Sequence, residues 1–105
     1  AFTIQPAPYA ADYNQKLFNI HITSGTYSTH HFVWNQASVY FESNSGFYPA
    51  GTAPESQLIQ KWSSSFSPDA TDVMAMINLW LFQGNAPSNG QPVEAVIAGF
   101  EFTPL

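Results

Sequence analysis

Cysteine and arginine are missing from this chain altogether, and lysine occurs only at Lys16 and Lys61. Without cysteine there is no disulfide, no thiolate metal site and no cysteine nucleophile, and the redox compartment stays open. Charged residues make up only 9% of the 105, and the net charge is −5. Phosphate recognition needs a basic face, and two lysines against seven acids cannot build one, so a nucleic-acid partner is excluded. An anionic membrane surface is disfavoured for the same reason. No apolar run reaches the roughly 18 residues that a membrane-spanning helix needs. The chain shows neither an internal repeat nor a low-complexity segment. It starts at Ala1 rather than methionine, which reads as a processed or trimmed terminus, and no signal peptide is recognisable in it.

Aromatic residues are plentiful at 16%. The binding chemistry on offer is therefore ring stacking together with amide and hydroxyl hydrogen bonds. The longest nearly unbroken apolar run is Val73 to Phe82, stopped by Gly84 and the turn-rich stretch from Asn85 to Gly90. Alternation along it predicts a central strand with two different faces. Val73, Ala75, Ile77, Leu79 and Leu81 form an aliphatic core face. Met74, Met76, Asn78, Trp80 and Phe82 form the other, the floor of a groove suited to a flat polar ligand such as a sugar ring. For Trp80 the competing interpretation is plain core packing. Its neighbour Asn78 favours the platform, because a carboxamide inside a core must find partners. Trp34 and Trp62 read as structural.

The remaining elements follow from alternation and turn residues. The first 14 residues, with Pro6 and Pro8, read as an extended lead-in. Strands are predicted over Leu17–Thr23, Ser28–Trp34, Ser38–Ser43 and Val93–Thr103, with turns at Ser24–Gly25, Asn35–Gln36 and Asn44–Gly46. Gln57–Trp62 reads as a short strand, with a helical turn through Leu58, Ile59 and Trp62 as the alternative. Residues 47–54 and 63–72 read as loops. With the central run this makes about six strands in one domain spanning 1–105, an all-β antiparallel sandwich of jelly-roll type.

The segment from Trp34 to Phe41, followed by Asn44-Ser45-Gly46, resembles a pattern of glycoside hydrolase family 16: Trp-x-Pro, then Ile, an aromatic and Asp-Gly. Met76-Ile77-Asn78-Leu79-Trp80 is similar to the Met-Asn-Leu-Trp strand of that family's lichenase members. The stretch from Glu94 to Phe102 is similar to its closing strand. The likeness covers Leu17 to Pro104 and corresponds to the C-terminal half of a family domain. It departs at Gln36, where proline is usual. The resemblance implies a concave jelly roll holding a β-linked glucan or galactan, with Asn78 and Trp80 lining the cleft and His30 pointing into it. It also implies a secreted protein, in keeping with a composition rich in aromatics, Asn and Ser.

The family's catalytic strand, Glu-x-Asp-x-x-Glu or Glu-x-Asp-x-Glu, has no counterpart here. In a retaining enzyme that strand sets two carboxyl groups about 5 Å apart. The acids of this chain are Asp12, Glu42, Glu55, Asp69, Asp72, Glu94 and Glu101, and none fall at that spacing. His30 and His31 are adjacent on a predicted strand, so they face opposite ways and cannot share an ion. His21 with one of them and a carboxylate is the remaining metal set, against the simpler role of surface or groove histidines. No Gly-x-Ser-x-Gly elbow accompanies the serines. No catalytic residue, metal or cofactor is therefore assigned. Three interpretations stay open: a non-catalytic carbohydrate-binding domain, half of a split polysaccharide hydrolase, and a self-associating structural protein. Pairing of two copies to cover apolar faces and sheet edges is compatible with all three.

Overall fold

The computed structural model describes residues 1–23, 25–69, 71 and 73–104. The chain divides into two compact units, Ala1–Ala70 and Thr71–Leu105. The first is all-β, with two antiparallel sheets. β1 (Phe2–Thr3) pairs with β2 (Gln15–Lys16), and β3 (Ser28–Trp34), β4 (Val39–Ser45) and β5 (Leu58–Ser64) form a three-stranded sheet with β4 in the middle. The one described helical turn in this unit is the 3-10 turn Glu55–Gln57, which leads into β5.

β3 falls on its expected bounds. β4 runs on through Asn44 and Ser45, where the sequence predicts a turn, and β5 continues into Ser63 and Ser64, which read as loop. The turn between β3 and β4 falls at Asn35. Its carboxamide oxygen accepts from the backbone N–H groups of Ala37 and Ser38, a side-chain device that closes the turn. Register sets which side chains share a face. Ser43 opposes His30 and Gln60, Phe41 opposes Phe32 and Trp62, and Val39 opposes Trp34 and Ser64. That face carries the core. Phe41 stacks between Phe2, with ring centroids 5.0 Å apart, and Trp62 at 5.9 Å. Phe18 tilts onto Phe2 at 4.6 Å. Trp34 and Trp62 are structural, as their positions predict: the Trp34 indole N–H donates to Ser67 Oγ and to the Pro68 carbonyl.

Two expectations fail in this unit. The first 14 residues are no mere lead-in. Phe2 and Ile4 are buried, and buried Asn14 ties the two ends of the segment together. Its oxygen accepts from the Ala10 N–H, and its amide donates to the Pro6 and Pro8 carbonyls. The prolines bend the segment so that its apolar end returns to the sheet. Conversely, Leu17–Thr23 forms no strand, the pairing ending at Lys16. Only Phe18 of its predicted apolar face docks inward, while Ile20 and Ile22 are exposed, so the alternation is present without a neighbouring backbone to pair with. Ser24 and Asp72 lie outside the described residues.

In the second unit the predicted strands over 73–82 and 93–103 are not formed among the described residues, where the regular element is the 3-10 turn Phe82–Gly84. The backbone bonds described there are local: Gly84 N–H to the Leu81 carbonyl and Gly90 N–H to the Pro87 carbonyl. Apart from Pro87, residues whose burial is described are exposed, including Ile77, Leu79 and Leu81 of the supposed core face. Periodicity specifies which side chains share a side. It does not supply the partner strand that makes an extended segment a sheet member.

Gly46 ends β4 with φ +92°, and a Cβ there would sit 2.9 Å from Tyr48 Cε2. The position is pinned further: its N–H donates to the Tyr27 carbonyl and its carbonyl accepts from Thr29 Oγ1. Gly46→Ala is expected to cost about 2 kcal/mol, from a left-handed backbone plus the clash. Urea unfolding measures it; an unchanged midpoint would show that the turn adapts freely.

Candidate functional site

Three places in the chain carry chemistry. The first is the sheet face opposite the core. The sequence Tyr40-Phe41-Glu42-Ser43-Asn44 puts Tyr40, Glu42 and Asn44 on one side of β4 at i, i+2, i+4. Glu42 is buried and fully engaged. It accepts a short hydrogen bond from the Tyr40 hydroxyl and a 2.8 Å bond from Asn44 Nδ2. His31, its register partner on β3, brings Nε2 to 3.6 Å. Those two hydrogen bonds hold the Glu42 carboxyl below its ordinary value, against a smaller upward push from burial. The same bond to Glu42 pushes Tyr40 up to about 12. A general acid needs a raised carboxyl pKa and a general base a lowered phenol, so both shifts oppose acid–base work near neutrality. The groups holding Glu42 are a phenol, a carboxamide and an imidazole, none of them the second carboxylate that glycoside cleavage needs. This cluster organises the sheet. The sequence reading passed over it, although the i, i+2, i+4 spacing was its visible signal.

The second place is His30. It shares the face of β3 that carries Phe32 and Trp34, opposite in direction to His31, and is itself exposed at the edge of that face. Its Nδ1 hydrogen-bonds with Ser43 Oγ at 2.8 Å and its Nε2 with Ser28 Oγ at 2.9 Å. Both ring nitrogens are thus engaged within the first unit. Desolvation, and then the nearby His31 charge, lower its pKa from the ordinary 6.5. Among the described residues no group of three His, Asp or Glu side chains is placed to hold a metal ion.

These two shifts make a stability prediction. Both folded-state pKa values lie below their unfolded values, so both contributions are complete at higher pH and are lost on acidification. His30 starts to withdraw its share as pH falls below 6.5, and Glu42 as pH falls below 4.5. Unfolding midpoints should therefore drop in two stages between neutral and acid pH. His30→Gln is expected to flatten the upper stage only; an upper stage that survives this change belongs to another group.

The third place lies in the second unit. The turn 85–90 folds back beside the apolar run and leaves an open concavity of ≈ 790 Å³ lined by residues 79–81, 85–87 and 90–93. Trp80 is 69% exposed there. Pro87 and Pro92 are among the apolar lining residues, and Asn85 and Gln91 are the lining residues that carry carboxamides. Asn78 is exposed but does not belong to the lining. Of the three residues singled out from sequence, Trp80 lines the concavity, Asn78 shares its unit, and His30 belongs to the first unit. The stretch from Asn85 to Gly90 was legible as turn-rich; that it lines a concavity was not.

Comparison of the chain with protein-family models, with curated proteins and with solved structures returned no match.

Proposed function

We propose that the protein is a non-catalytic carbohydrate-binding domain whose concavity at Trp80 holds a β-linked glucan or galactan. The observation that carries this reading is the exposed side chain of Trp80 in a concavity whose lining also includes Pro87, Pro92, Asn85 and Gln91. A pyranose ring has apolar C–H faces and a hydroxyl rim. The indole suits the first, and amides, which both donate and accept, suit the second. The likeness of Met76–Trp80 to the lichenase strand of family 16 supports it from sequence, as does the shortage of basic residues. The same likeness names Asn78, which shares the unit of Trp80, and His30, which lies in the first unit with both ring nitrogens engaged. Binding without cleavage follows from the engagement of Glu42 and the lack of a paired-carboxylate strand. Secretion goes with the same reading.

A specific observation favours a second reading. In residues 71–104 the side chains of Val73, Ile77, Leu79, Val96, Phe100 and Phe102 are all exposed, an apolar area that calls for a cover. Another polypeptide, a second copy or the other half of a split hydrolase, would supply one. Native electrophoresis in gels containing barley β-glucan, laminarin or agarose, with reducing ends assayed in the same lanes, tests the first reading. Retardation without new reducing ends is expected. Cleavage would point to the split hydrolase, and free migration in every gel to assembly alone.

A further inference from the structure

We infer that the concavity at Trp80 admits uncharged glycans and turns away acidic ones, such as uronate-bearing or sulfated chains. The inference rests on the glycan reading of that concavity and adds a rule for which glycans enter.

Its basis is the distribution of charge. Residues 71–105 contain no lysine, arginine or histidine, but they contain Asp72, Glu94 and Glu101. Glu94 directly follows Val93, which lines the concavity. The polar side chains of the wall, Asn85 and Gln91, carry no charge. The chain's two lysines lie in the first unit and are each held by a carboxylate: Lys16 Nζ is 2.6 Å from Asp12, and Lys61 Nζ is 3.4 Å from Glu55. Recognition of a carboxylate or sulfate ester draws its strength from charge-assisted bonds to arginine or lysine. This unit has none to offer. A carboxamide satisfies a neutral hydroxyl in either direction, as donor or acceptor. An acidic glycan would approach a unit that carries three acids and no base, a repulsion that salt screens.

The test compares one neutral β-1,3-glucan with its carboxymethylated derivative, so that backbone and linkage are constant. The substituent adds charge together with bulk and a capped hydroxyl, and the high-salt arm separates the charge from the other two. Calorimetric titration at low and at high salt is expected to show the neutral polymer binding equally at both. The carboxymethylated polymer should bind about tenfold or more weakly at low salt, and approach the neutral one at high salt. Glu94→Gln should narrow the low-salt gap and leave the neutral affinity unchanged. Equal, salt-independent binding of both polymers would overturn the charge rule while leaving the glycan reading intact. Tighter binding of the acidic polymer would overturn it as well. Binding of neither would remove the glycan reading, and the rule with it.

Discussion

Phe41→Ala is expected to destabilise the first unit by about 3 kcal/mol, lowering its Tm by roughly 15 °C. Phe41 sits mid-strand on the central β4, with Phe2 and Trp62 both stacked on its ring and Phe32 tilted against it at 6.0 Å. Truncation removes the layer that joins the N-terminal segment to the three-stranded sheet. Full burial would put the loss nearer 4–5 kcal/mol; Phe41 is only half-buried, which sets the lower figure. Because Phe2 would lose its stacking partner, Phe2→Ala and Phe41→Ala should combine less than additively. Thermal unfolding followed by near-UV circular dichroism measures both. A loss below about 1 kcal/mol for Phe41→Ala would mean that the aromatic layer contributes little to the fold.

Trp80→Ala is expected to weaken glycan binding by about 30-fold or more and to leave thermal stability almost unchanged. The two parts have separate reasons. An aromatic ring that anchors a ligand typically contributes about 2 kcal/mol or more, and each 1.4 kcal/mol is tenfold in Kd. The same ring is 69% exposed, so its truncation gives up little buried area within the chain. Trp80→Phe keeps a smaller apolar face and should fall between the two. Gel retardation read beside a melting curve separates the outcomes. Lost binding with an intact melt locates the platform at Trp80. A collapsed melt would make Trp80 a packing residue, the interpretation that its apolar surroundings in sequence also allow.

How far the sequence speaks differs between the two units, for a physical reason. β3 and β4 were readable because the Asn35 carboxamide closes the turn between them and Gly46, with its positive φ, follows β4. β5 was less legible, since Leu58, Ile59 and Trp62 suit a helical turn as well as a strand. The N-terminal segment was misread because Pro6 and Pro8 suggest an extended tail. Its anchoring depends on Asn14, whose three bonds to that segment span four to eight residues and leave no periodic trace. Leu17–Thr23 and the two runs of the second unit were misread in the opposite sense. Leu17–Thr23 alternates and 73–82 is a nearly continuous apolar run, but a strand also needs a backbone to pair with, and neither pattern reveals one. The Trp80 concavity was half legible. The exposed amphipathic ring was recognisable from its place beside Asn78, whereas the wall from Asn85 to Pro92 depends on a fold-back that spacing does not encode.

The most direct measurement of the binding claim follows the three indole N–H resonances in a 1H–15N correlation spectrum during titration with a short β-glucan oligosaccharide. Each resonance is assigned by its Trp→Phe variant. Trp34 is an internal reference, because its N–H is committed to Ser67 and Pro68 and its ring belongs to the sheet. A saturable shift of the Trp80 resonance, with Trp34 stationary, is the result predicted. A Trp80 resonance that stays in place while the others move, or three resonances that ignore every neutral glycan offered, would contradict the assignment of the site.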